Sequence, residues 1–108
     1  MFKKYKSSLN KALNTIKEDH VEILYQEIKQ RLDGSSSIHI LGNGGSAANA
    51  SHIVGDYTKT FAFMKLKIKI NNHSDNICYL TAASNDLDYN EIYSNLVGTL
   101  IDKNDLII

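Results

Sequence analysis

"LGNGGSAANASH", residues 41–52, sets three of the chain's six glycines within four positions, around an asparagine and ending on a serine. It follows the apolar run Ile38 to Leu41, which stops abruptly at Gly42 and reads as a short buried strand. After it, Ala47, Ala48 and Ala50 give a thin helical face suited to lying close against a sheet. Ser46 is the expected N-cap, and the helix is expected to run to about Thr58. Strand, glycine turn, helix is the decisive reading, because it starts a parallel α/β sheet.

Upstream, Val21, Leu24, Ile28 and Leu32 recur at helical spacing, and Gly34 follows as a left-handed stop, which predicts a helix over 19–33. Leu9, Leu13 and Ile16 predict an earlier amphipathic helix. The basic N-terminus "MFKKYKSSLNKALNTIK" also suits a targeting segment, but it lacks a continuous apolar core, so the packing reading is preferred. Downstream, Leu66, Ile68 and Ile70 alternate with polar residues and predict an edge strand over 66–70. A helix is expected from Ser74 to Ala83, and "DYNE" at 88–91 has capping-box spacing for another helix reaching about Asp102. "KNDLII" then makes a turn into a third strand.

With 108 residues the chain is one domain at most, divided here into a helical segment over 1–33 and an α/β segment over 34–108. In flavodoxin-like order the third strand lies beside the first and leaves its outer edge unpaired, so an incomplete domain is expected. Twelve Lys and Arg balance twelve Asp and Glu, which removes the basic field that nucleic-acid binding needs. The lone cysteine, Cys78, fits a reducing cytoplasm, and no apolar run approaches a membrane span.

Glycines between a buried strand and a helix let backbone N–H groups gather into a nest for an anion, commonly a phosphate, with Asn43 and Ser46 as side-chain donors. The plain alternative is a tight turn with no ligand. A Walker loop is excluded because Ala47 and Ala48 stand where Lys-Ser or Lys-Thr is required. Gly42, Gly44 and Ala47 satisfy the degenerate dinucleotide fingerprint, but Asn71 and Asn72 occupy the place of the acidic ribose ligand. An NAD-binding domain is therefore the weakest of three readings.

"LGNGGSAANASHIVGDYTK" and "SNDLDYNEIYSNLV", with the strand and helix between them, resemble the sugar isomerase (SIS) domain family, and within it the phosphoheptose isomerases, over nearly the whole chain. The resemblance implies a flavodoxin-like three-layer fold with a parallel sheet. It also implies ketose–aldose isomerisation of sedoheptulose 7-phosphate through an enediol, a zinc ion, and a cytoplasmic homo-oligomer, a tetramer in the family, paired through the N-terminal helices. By the same similarity Asn43, Gly44, Gly45, Ser46, Asn85 and Asp86 would bind the sugar phosphate. His52 and Asp56, one helical turn apart, would serve as zinc ligands and catalytic groups facing the glycine turn.

Read without the family, His52 and Asp56 are an ordinary solvated pair, and Asn85-Asp86 is a helix-ending turn. The family usually has Glu where Asp56 stands, so its carboxylate is shorter by one C–C bond, about 1.5 Å. Family chains also continue into a Ser-Thr-Ser-Gly-type phosphate loop and later Gln and His metal ligands, none of which occurs in these 108 residues. Weak or no activity of the chain alone is thus expected. The alternative is a non-catalytic SIS module that senses a phosphosugar or binds a protein partner. Of the remaining histidines, His39 is expected to be packed or at an edge, and His20 and His73 at the surface.

Overall fold

The computed structural model describes residues 1–108, as two compact units, Met1–Gln30 and Arg31–Ile108. The first is helical, with α1 over Phe2–Asn14 and most of α2, which spans Glu18–Arg31. Thr15 closes α1 by donating both its backbone N–H and its hydroxyl to the Ala12 carbonyl. Glu18 and Asp19 occupy the first turn of α2, where negative charge meets the positive end of the helix dipole. Phe2, Tyr5, Leu9, Leu13, Val21 and Leu24 are all exposed.

The second unit carries a three-stranded parallel sheet in the order β2-β1-β3, with β1 over Ile38–Ile40, β2 over Ile70–Asn72 and β3 over Leu106–Ile107. Ile38 stands level with Ile70 on one side and Leu106 on the other, and His39 with Asn71 and Ile107. The central strand is buried along its whole length, as its apolar run implies. Between β1 and β2 comes α3, Gly45–Phe63; between β2 and β3 come α4, Ile77–Asp86, a 3-10 turn at Tyr89–Glu91, and α5, Ile92–Leu100. The chain crosses from β2 over β1 to β3, so right-handed connections put α3 and the α4–α5 pair on opposite faces of the sheet. The apolar core is Ile38, Ile40, Ala50, Ala83, Ile92 and Leu96. Asn72 donates to the Ser51 hydroxyl at 2.8 Å and ties α3 to β2, while the Tyr79 hydroxyl donates to the Ile92 carbonyl at 2.6 Å and ties α4 to α5.

The parallel sheet, its strand order and the Gly34 stop, at φ 77°, agree with the sequence reading. Several boundaries do not. The second strand is not Leu66–Ile70 but Ile70–Asn72, because the preceding residues turn the chain out of α3. The N–H groups of Met64, Lys65 and Leu66 bond back to Thr60, Ala62 and Phe61, Lys65 takes φ 56°, and contact with β1 begins at the Lys69 carbonyl. For the same reason α3 runs past Thr58 to Phe63.

Ser46 does not cap α3. Gly44 holds that position, and the Ser46 N–H bonds to the Asn43 carbonyl inside the first turn. Nor does Ser74 start α4: Asn76 is its cap, accepting the Tyr79 N–H on its side-chain oxygen at 3.1 Å. Asp88 caps the 3-10 turn through the Asn90 N–H, and α5 ends at Leu100 rather than Asp102.

Candidate functional site

In a parallel sheet whose chain departs to both sides of a central strand, ligands gather beyond the carboxyl ends of the strands. Here β1 delivers Gly42 to that end, and the residue is held at both of its polar atoms. Its N–H donates to the Ser74 hydroxyl oxygen at 2.7 Å, and its carbonyl accepts from the Tyr93 hydroxyl at 2.7 Å. A side chain has no room there. A Cβ on Gly42 would lie 2.4 Å from the Ser46 carbonyl carbon and 2.6 Å from the Ala47 nitrogen. Gly44 is needed for another reason, since its φ of 57° and ψ of −120° strain any residue with a Cβ.

The turn leaves the N–H groups of Asn43, Gly44 and Gly45 without an acceptor in the chain, at the positive end of α3. Three successive free donors there are what an anion nest requires. Beside them opens a cleft of about 230 Å³, lined by Gly42, Asn43 and Gly44 of the turn, Ser74 after β2, Ser84 of α4, and Tyr89 and Tyr93 from the following segment. The Asn43 side-chain amide donates to the Tyr89 hydroxyl at 2.5 Å across its mouth. Tyr93→Phe deletes the hydrogen bond to the Gly42 carbonyl and is expected to cost about 0.5–1.5 kcal/mol in chemical denaturation. No change in the denaturation midpoint would mean the turn is held without it.

Among the residues expected at the substrate, Asn43 and Gly44 line this cleft. Gly45 and Ser46 are exposed beside it, outside its lining. Asn85 and Asp86 are exposed at the end of α4 and bonded to each other at 3.0 Å, likewise outside the lining. His52 and Asp56 do come together, with Nε2 and Oδ2 3.0 Å apart, but not at the cleft. Their side chains are 80% and 51% exposed, on the side of α3 opposite the row Ala47, Ala50, Val54 and Tyr57 that is buried or half-buried. The expectation that this pair faces the glycine turn is therefore not met within this chain.

Lys59 makes a second ion pair with Asp56 at 3.0 Å. That hydrogen bond and charge, with a smaller contribution from His52, hold the Asp56 carboxyl below its ordinary value. The pair offers an imidazole and a carboxylate, the right kinds of donor for zinc, and no three or more His, Cys, Asp or Glu are placed so that together they could hold a metal ion.

Sequence reasoning missed Ser74, Ser84, Tyr89 and Tyr93. The two tyrosines lie four apart in "YNEIY", so a helical reading of that segment puts them on one face. Nothing in the sequence says that this face meets the glycine turn. A larger groove of about 410 Å³ lies against Phe61, Ala62, Leu66 and Ile68 and includes none of the turn residues.

No protein-family profile matches the chain. Curated relatives do. It is 31% identical over 107 residues to the phosphoheptose isomerase of Helicobacter pylori (strain Shi470), covering 99% of this chain and 55% of that protein. Another, from Thermodesulfovibrio yellowstonii, is 35% identical over 81 residues, covering 75% of this chain and 40% of the relative. Among solved structures, phosphoheptose isomerase GmhA from Neisseria gonorrhoeae superposes with a TM-score of 0.76 at 23% identity, over 95% of this chain and 54% of that one, which establishes the shared fold. The chain thus spans about half the length of the relatives it matches.

Proposed function

We infer, from a chain that is a partial member of the phosphoheptose isomerase-like SIS family, that it binds a sugar phosphate at the glycine turn and serves ketose–aldose isomerisation of a heptose phosphate. The observation that carries this reading is the set of free amides at Asn43, Gly44 and Gly45, beside a cleft whose lining includes the hydroxyl-bearing residues Ser74, Ser84, Tyr89 and Tyr93. Free amides suit a phosphate or another polarised oxygen, and the hydroxyls suit a polyhydroxylated chain. Gly45, Ser46, Asn85 and Asp86 would contact ligand beyond the cleft's present lining.

His52 and Asp56, on the face of α3 away from the cleft, would supply two contacts to a zinc ion, and such a metal would polarise a carbonyl oxygen only of a ligand held against that face. Asp56 suits the role of ligand better than that of base. The Lys59 ion pair that lowers its proton affinity also lowers its power to take a proton from carbon. This favours, as a second reading, a module that binds a phosphosugar without turning it over. The apolar side chains exposed on α1 and α2, among them Phe2, Leu9, Leu13 and Val21, support a homo-oligomer joined through residues 1–33. A cytoplasmic setting is part of the same proposal; no helix is long and apolar enough to cross a membrane.

Titration of the chain with sedoheptulose 7-phosphate, with and without zinc, tests both readings. The amide signals of Asn43, Gly44 and Gly45 are expected to shift with ligand in either case. Zinc-dependent exchange of the C1 and C2 protons with solvent, lost in Asp56→Asn together with zinc binding, marks the isomerase. Binding without exchange marks the sensor. Ligand that leaves those three amides unmoved refutes the site altogether.

A further inference from the structure

The proposed function leaves unused the most deeply buried polar group of the sheet. His39, in the middle of β1, is 4% exposed. Its Nε2 lies 3.1 Å from Asp105 Oδ2 and its Nδ1 lies 2.7 Å from Nε2 of His73, just beyond β2. Asp105 is fixed in turn, since its carboxylate also accepts the N–H of Ser37 at 2.7 Å and of Asp102 at 3.0 Å. The His73 backbone N–H donates to the Ile40 carbonyl at 3.1 Å, so backbone and ring both tie this residue to β1.

Donor and acceptor roles follow from the carboxylate. The two amides, together with His39, keep the Asp105 carboxyl below its ordinary value, so it is an acceptor wherever imidazoles titrate. Nε2 of His39 must then carry a proton, and in the neutral pair Nδ1 of His39 accepts from Nε2–H of His73. One added proton preserves the bond, because either ring can be the donor in the 2.7 Å contact. Two added protons do not: N–H would then face N–H.

The end of this chain touches the glycine turn. Ser74, the residue after His73, has its N–H on the Asn72 side chain at 2.8 Å, and its hydroxyl oxygen accepts the Gly42 N–H. We propose that the Asp105–His39–His73 chain positions the glycine turn and that the second proton on the histidine pair releases it, by parting His73 from His39 and so drawing Ser74 away from Gly42. His39 and His73 are positioning residues acting through Ser74. The proposal concerns the turn itself and holds whichever ligand the turn accepts.

Burial first, and the neighbouring charge of His39 second, lower the proton affinity of His73, and they outweigh the opposite pull of Asp75. The other titratable groups nearby are Asp102 and Asp105 on the β3 side and Tyr79 of α4, which lines a small cavity with His73. For a histidine whose folded value is lowered, the unfolded chain takes up the proton first. The stabilisation is complete above the ordinary imidazole value of about 6.5 and is lost as pH falls through the folded value. Asp105, also lowered, loses its contribution only at more acidic pH, below the ordinary carboxylate range.

Nuclear magnetic resonance of the ligand-free chain, titrated downward from about pH 8 until both imidazoles have taken up a proton, reads the device directly, through the imidazole nitrogens and the turn amides. The expected result is two protonation steps on the pair, with the Gly42 and Asn43 amides still through the first and displaced in the second. Ser74→Ala should keep both imidazole steps and abolish the Gly42 response. His73→Gln should leave one step and a turn indifferent to pH; if that variant does not fold, Ser74→Ala decides alone. Turn amides that stay fixed while both imidazoles protonate, or that respond in Ser74→Ala as before, overturn the proposal.

Discussion

Gly42→Ala is expected to destabilise the chain by about 3–5 kcal/mol, combining about 1–3 kcal/mol of overpacking with hydrogen bonds worth about 1 kcal/mol each. The added carbon would sit 2.4 Å from the Ser46 carbonyl carbon and 2.5 Å from its oxygen, both in the backbone of the first turn of α3, where no rotamer change relieves the clash. Relief requires β1 and α3 to separate, which pulls the Gly42 N–H off Ser74 and its carbonyl off Tyr93. Urea denaturation measures this as a lowered midpoint. Gly45→Ala is the control, since a Cβ there meets nothing within 4 Å and alanine is the better helix former by about 1 kcal/mol. Equal loss in both variants would show that the close approach at Gly42 is not the cause. A Gly45 variant that is stable but binds sugar phosphate poorly would show that the open space serves the ligand.

Ile38→Ala should cost about 2–5 kcal/mol. At 1% exposure Ile38 is the largest side chain completely enclosed, and it stands level with both neighbouring strands, so its loss opens a void that neither can close without giving up pairing. A domain of this size has on the order of 5–10 kcal/mol in total, so the variant is expected to lose a large share of its stability and to melt well below the parent. Ile23→Ala, at a 60% exposed position, should change stability by less than about 0.5 kcal/mol. Thermal unfolding followed by circular dichroism compares the two, and similar midpoints would contradict the burial argument.

These residues also show how far the sequence could be read. Ile38 to Ile40 announce a buried strand by composition, and the glycines after them announce a strand-to-helix turn, so the parallel order followed from local signals. The second strand was misplaced because Leu66, Ile68 and Ile70 alternate as a strand does, while the backbone at Lys65 is spent on leaving α3. Within the site, Asn43 and Gly44 were legible because the turn itself is the signal. Ser74 and Tyr93 were not, because they reach Gly42 from 32 and 51 positions away. His39 and His73 are 34 apart and Asp105 lies 66 beyond His39, separations at which no periodicity or motif speaks.

Those separations bear on how the molecule assembles. Each helix can begin from neighbours along the chain, but both anchors of Gly42 come from segments that must first cross the sheet and return, and distant closures of this kind are slow. During refolding, helical signal should therefore recover before the Gly42 amide gains protection from hydrogen exchange. Binding competence is then acquired last, and a half-folded chain would carry its helices yet have no grip on a ligand.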